Sequence, residues 1–142
     1  MTTSHTGGCL CGAVRYSIAA PIKELRACHC LDCQRSSGAH GAVVAFVRRE
    51  NFSITSGAPK RYAKKADSGR TLVRYFCGDC GSPIYATSAD ASADGSPRRF
   101  GLRVGTIRQR RAIRPAKQIW QKSALEWVPP MTHLETFAEE DD

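Results

Sequence analysis

Seven cysteines fall into three tight clusters: Cys9-Leu10-Cys11, Cys28-His29-Cys30-Leu31-Asp32-Cys33 and Cys77-Gly78-Asp79-Cys80. An odd number of cysteines cannot be fully paired within one chain, which makes a disulfide framework the weaker reading. Two cysteines separated by one or two residues can both reach a single ion while the backbone turns around it. Zinc ribbons are built by joining two such pairs that are distant in sequence. The seven divide into four ligands plus three, which predicts one closed zinc site and one open site, up to two Zn²⁺ per chain. A closed site is structural, whereas three protein ligands leave a position for water or substrate.

Glycine settles which clusters belong together. Gly12 follows Cys11 and Gly81 follows Cys80, and glycine in that place permits positive φ and lets backbone N–H groups approach the sulfurs. The same device at both pairs predicts a tetrahedral thiolate site from Cys9, Cys11, Cys77 and Cys80. The middle cluster, Cys28, Cys30 and Cys33, is then the open site. His29 sits between two of its cysteines, but in an extended segment adjacent side chains point to opposite faces, so His29 is expected to face away from the sulfurs. His40 and His133 have no place fixed by the sequence, and the fourth ligand stays open.

A zinc ion bound by three thiolates carries a net charge near −1 and is a poor Lewis acid for making hydroxide. It suits an incoming thiol better, because coordination deprotonates the thiol and soft ligands leave its sulfur electron-rich. The predicted substrate is therefore a small thiol or its adduct, with Cys28, Cys30 and Cys33 as the catalytic ligands. Arg35 lies just beyond the cluster, and Arg48 and Arg49 follow the next apolar run; each is a candidate to hold a substrate carboxylate. Reversible disulfide chemistry among the three middle thiols is the competing use.

Most of the chain reads as short strands. Val14, Tyr16 and Ile18 alternate with polar or small residues; the run 42–47 is apolar and rich in β-formers; Phe52 with Ile54, Lys60 to Lys65 and Thr71 to Phe76 follow at close spacing. Ile84 to Thr87 is the expected return strand, placing the third cysteine pair on a hairpin tip. Ser88 to Pro97 reads as a surface loop, and Phe100, Leu102 and Val104 resume the alternation. Arg108 to Ala116 fits either a helical turn or an extended basic strand. Ile119, Trp120, Leu125 and Trp127 are expected to pack back onto the core. The prediction is a mostly β single domain over 1–138, with 139–142 an acidic, solubilising tail.

The formal charge of +8 includes the four acids Glu139 to Asp142, so the body is more basic than the total. Nine Lys or Arg residues and no acid lie between Arg98 and Lys122, a field that attracts nucleic acid, anionic lipid or a small anion alike. A non-catalytic zinc module binding a polyanion through that stretch is the alternative function. Aromatic residues are sparse there, which gives little support to stacking on single strands. The polar start lacks an apolar leader, and no run approaches the about 18 apolar residues of a membrane span, so a cytoplasmic protein is expected.

These motifs resemble the glutathione-dependent formaldehyde-activating enzyme (GFA) family, which includes centromere protein V. The resemblance rests on Gly8-Cys9-Leu10-Cys11-Gly12-Ala13-Val14-Arg15-Tyr16, on Cys28-His29-Cys30-Leu31-Asp32-Cys33 with Arg35, Ser36, Ser37 and Gly38, and on Phe76-Cys77-Gly78-Asp79-Cys80-Gly81-Ser82-Pro83. It implies a β-tent of small antiparallel sheets around zinc. It also implies a structural zinc on Cys9, Cys11, Cys77 and Cys80 and a catalytic zinc on Cys28, Cys30 and Cys33. The implied activity is that of a carbon–sulfur lyase, joining glutathione to formaldehyde as S-hydroxymethylglutathione or cleaving the adduct.

Overall fold

A computed structural model describes residues 4–89, 99–129 and 131–141. Strands β1 (His5–Gly8), β2 (Arg15–Ile18) and β5 (Phe52–Ser56) form a three-stranded sheet in the order β1-β2-β5. The other strands are β3 (Glu24–Cys28), β4 (Ala42–Arg48), β6 (Lys60–Lys65), β7 (Thr71–Phe76), β8 (Pro83–Ser88), β9 (Arg99–Arg103), β10 (Lys117–Ile119) and β11 (Glu135–Thr136). They form a second sheet in the order β11-β10-β3-β4-β9-β8-β7-β6. Its pairings are antiparallel except at one end, where β10 runs parallel to both β3 and β11. The architecture is mostly β, as the alternation predicts. No described helix is long and apolar enough to cross a membrane.

The core lies between the sheets because one parity of each strand is apolar. Tyr16 and Ile18 of the small sheet, with Val14 just before β2, meet Ala45, Val47, Ile84 and Leu102 of the large one, all buried. Phe52 sits at the centre, with ring centroids 5.4 Å from Tyr16, 5.0 Å from Tyr85 and 5.2 Å from Phe100. Tilted and edge-on rings at these separations add to the area they bury.

The opposite parity of the large sheet faces a cavity. Glu24, Arg26 and Cys28 of β3, Val44, Phe46 and Arg48 of β4, and Arg99, Gly101 and Arg103 of β9 all line it. The register aligns Arg26 with Val44 and Val44 with Arg103, and beside that row Glu24 with Phe46 and Phe46 with Gly101. Gly101 keeps the floor low: a Cβ there would lie 2.7 Å from Val44 Cγ1.

Several expectations are corrected. Residues Leu31–Ser37, to which the sequence pattern assigns no element, form helix α1. The basic segment 108–116 takes the helical of its two expected forms, as a 3₁₀ turn at Arg110–Ala112 before β10. Ile119 and Trp120 are buried as expected, but Trp127 is 70% exposed and touches the His40 ring edge-on. The acidic end is packed rather than solvated: Glu140 accepts from Trp120 Nε1 at 2.8 Å, and the Asp141 side chain is 4% exposed. Residues 90–97 of the expected surface loop, and Arg98, lie outside the described residues.

Candidate metal centres

Cys9 and Cys11 lie on the turn between β1 and β2, and Cys77 and Cys80 on the β7–β8 hairpin tip. All four sulfurs lie within 4.8 Å of one another. Cys9 Sγ is 3.6 Å from Cys11 Sγ, and Cys11 Sγ is 3.8 Å from Cys77 Sγ. Tetrahedral zinc with bonds of about 2.3 Å sets its sulfurs about 3.8 Å apart, far beyond the about 2.05 Å of a disulfide. The donor set and spacing therefore fit a closed thiolate site.

The backbone explains how the pairs converge. Gly12 and Gly81 have φ of +82° and +78°. Their N–H groups close tight turns on Cys9 O at 3.2 Å and Cys77 O at 2.9 Å. The Val14 N–H donates to Cys9 Sγ at 3.2 Å. Ser82 ties the two loops together: its Oγ accepts from the Leu10 N–H at 3.0 Å and lies 3.2 Å from Cys80 Sγ. Hydrogen bonds from the Ser82 hydroxyl and then its N–H pull the Cys80 thiol down to about 5. A sulfur held as thiolate is the form a metal requires.

The second group is Cys28, Cys30 and Cys33, whose sulfurs also lie within 4.8 Å of one another. Cys28 ends β3, and Cys30 caps α1, its sulfur accepting the Cys33 N–H at 3.3 Å. Three residues apart on a helical turn, Cys30 and Cys33 share a face. Hydrogen bonds with Cys28 and then Cys30 hold the Cys33 thiol down at about 3 against burial, and the charges of Arg103 and Arg74 add to this. The same contacts and burial push the Cys28 thiol up. Three clustered thiols with one poised as thiolate suit a soft metal ion with a position left over.

His29 points away from this group, as expected, but it is buried. It is 3% exposed, and its Nε2 lies 3.3 Å from Gln118 Oε1, while Nδ1 has no partner. It fixes β3 against β10 and is not among the clustered ligands.

All three middle cysteines line the cavity under the large sheet, whose volume is about 980 Å³. Clefts of about 300–1,000 Å³ are the size that takes organic ligands and cofactors. Ile119 and Trp120 pack with Cys28 and Cys33, and the rest of the lining carries both arginines and carboxylates.

The sequence pattern described as Glutathione-dependent formaldehyde-activating enzyme matches residues 4–123. The chain belongs to that family. Among its relatives, a protein of Aspergillus flavus is 32% identical over 79 residues, covering 54% of this chain and 40% of that one. One of Fusarium vanettenii is 29% identical over 89 residues, covering 59% and 47%. Both bear the name "Putative glutathione-dependent formaldehyde-activating enzyme". This chain thus spans less than half the length of those curated relatives. A crystal structure of a Rhodobacter sphaeroides protein shares the fold, with a TM-score of 0.51 at 20% identity, over 93% of this chain and 98% of that one.

Within this family member the arginines fall differently from the sequence reading. Arg35 is exposed on α1 and is not among the residues lining the cavity. Arg48 is at the cavity edge, paired with Glu50 at 3.6 Å, and Arg49 is exposed in a 3₁₀ turn. Arg26, Arg74 and Arg103 line the cavity instead. Their signal was present as strand parity, opposite to Leu25, Val73 and Leu102, but alternation alone does not reveal that both faces of a strand are enclosed. The basic stretch divides the same way: Arg99 and Arg103 face the cavity, while Arg108, Arg110, Arg111 and Arg114 are exposed.

Proposed function

We propose that this GFA-family chain is a zinc-dependent carbon–sulfur lyase. It would join a small thiol, glutathione or a similar one, to formaldehyde or another small carbonyl compound, or cleave the adduct. The observation that carries this reading is the cluster of Cys28, Cys30 and Cys33 on the wall of a ligand-sized cavity. Zinc, when bound there, would supply a position at which an incoming thiol loses its proton near neutral pH. The closed set of Cys9, Cys11, Cys77 and Cys80 would hold a second zinc that secures the fold.

The chemistry is an addition. The thiolate sulfur forms a bond to the carbonyl carbon, the C=O π pair moves to oxygen, and that oxygen takes a proton from water to give a hydroxymethyl thioether. Cleavage reverses each movement. The protein's residues would hold the two reactants together, with the sulfur beside the apolar Ile119 and Trp120, and proximity supplies much of the acceleration.

The test is NMR exchange between formaldehyde and glutathione with fully zinc-loaded protein. The expected result is two zinc ions per chain and exchange faster than in buffer. Exchange at the buffer rate with both sites filled, for glutathione and for smaller thiols, would overturn the assignment.

A further inference from the structure

We infer that Arg74 and Arg103 form a seat for a carboxylate carried by the substrate next to the carbon–sulfur bond that is made or broken. This rests on the reading above and specifies its substrate class. Formaldehyde is on the order of a water molecule's ~30 Å³, a small part of a cavity of about 980 Å³. The remaining space is walled by cations of unequal standing.

Most charges at the cavity already have partners. Arg99 pairs with Glu24 at 2.9 Å, Arg26 with Asp141, and Asp32 with Lys64 at 2.7 Å. Arg74 and Arg103 pair with no carboxylate among the described residues. Arg103 is 9% exposed, and its side chain makes a long 3.5 Å hydrogen bond to Ser36 Oγ. Arg74 Nε is buried and has no partner. Arg103 is thus sheltered with no carboxylate beside it, and the planar fork of guanidinium donors matches one.

Their placement converges on the thiols. Arg74 aligns with Ala86 and Ala86 with Gly101, while Arg103 lies two residues from Gly101 on the same face of β9. The row that runs from Arg74 toward the strand of Arg103 therefore carries only a methyl group and a hydrogen. Ser36, which Arg103 touches, belongs to the helix that carries Cys33. Both arginines also line a smaller adjoining cavity of about 190 Å³ with Ser36. A substrate sulfur at the open cluster would thus have cations beside it, where a carboxylate near the reacting carbon lies. That carboxylate belongs either to the thiol or to a 2-oxo acid serving as the carbonyl partner.

Titration calorimetry on the zinc-loaded full chain separates these sources. The probes are mercaptoacetate, 2-mercaptoethanol of nearly equal size, and glyoxylate. With a thiol-borne carboxylate, mercaptoacetate binds at least about tenfold tighter than 2-mercaptoethanol, and in Arg103→Gln or Arg74→Gln that preference falls below about threefold. With an oxo acid, the thiols bind alike and glyoxylate binding weakens about tenfold in either variant. Thiols that bind alike together with glyoxylate binding that neither variant changes overturn the seat. If no thiol binds, the thiol reading falls, and glyoxylate alone decides the seat by whether the variants weaken it. Should Arg103→Gln fail to fold by circular dichroism, the partly exposed Arg74→Gln decides.

Discussion

The carboxylate of Asp141 hydrogen-bonds the guanidinium of Arg26 across 115 residues of sequence, and Lys117 Nζ reaches its second oxygen at 3.3 Å. Both partners of the first pair are sheltered, with side chains 4% and 13% exposed. The strand of Arg26 ends in Cys28, so this contact joins the acidic end of the chain to the wall that presents the open cluster.

Asp141→Ala leaves the Arg26 cation sheltered with only the Phe46 ring, 4.8 Å from its centroid, and the distant edge of Glu24. A hydrogen bond to a charged group contributes about 1.5–3 kcal/mol. Urea unfolding should show a loss in that range, with Asp141→Asn falling between the variant and the wild type. Unchanged midpoints would mean that the acidic end is solvated, as its composition alone implies.

Tyr16 is 1% exposed, and its hydroxyl lies 2.8 Å from Thr106 Oγ1, which itself donates to Arg103 O at 2.8 Å. Tyr16 therefore donates. Burial pushes its hydroxyl from 10.0 up to about 12. Because the folded value is the higher one, the stabilisation is complete below pH 10 and is lost as pH rises from about 10 to about 12, by up to about 1.4 kcal/mol per unit. Tyr16→Phe should lose about 1 kcal/mol near pH 8 for the missing hydrogen bond yet show a shallower alkaline decline. Denaturation curves of both proteins across this range check it; parallel declines would remove Tyr16 as the source.

Strand β2 was legible because its apolar parity is unbroken, so that Val14, Tyr16 and Ile18 could face only one core, whereas β1 and β3 show no such alternation and went unread. Helix α1 was not legible, since it has seven residues, too few to show a stripe, and it starts on a cysteine rather than the Ser, Thr, Asp or Asn that mark helix starts. Its glycine stop, Gly38 at φ +70°, was in view without a start to match. The four-plus-three grouping was readable because Gly12 and Gly81 have one conformational purpose in common. The cavity arginines were not, because nearness to the cysteines in sequence favoured Arg35, whereas sheet register sets Arg103 in one row with Val44 and Arg26. The short parallel strands β10 and β11 depend on tertiary pairing alone.

The two cysteine groups should respond differently to the loss of one sulfur. Cys77 is 1% exposed and joins the β1–β2 turn to the β7–β8 hairpin, so Cys77→Ser unties two distant parts of the chain. Metal binding energy in such a site is folding energy, and losing a few kcal/mol of it lowers the melting point of a chain this size by roughly 10 °C. Cys30→Ser should be mild. Its sulfur caps α1 by accepting the Cys33 N–H, and serine is itself a favoured cap. That variant should lose one zinc while melting within roughly 3 °C of the wild type. Metal analysis paired with calorimetry reads both quantities on the same samples. Equal losses of stability from the two replacements would end the division into a site that holds the fold and a site that works on a substrate.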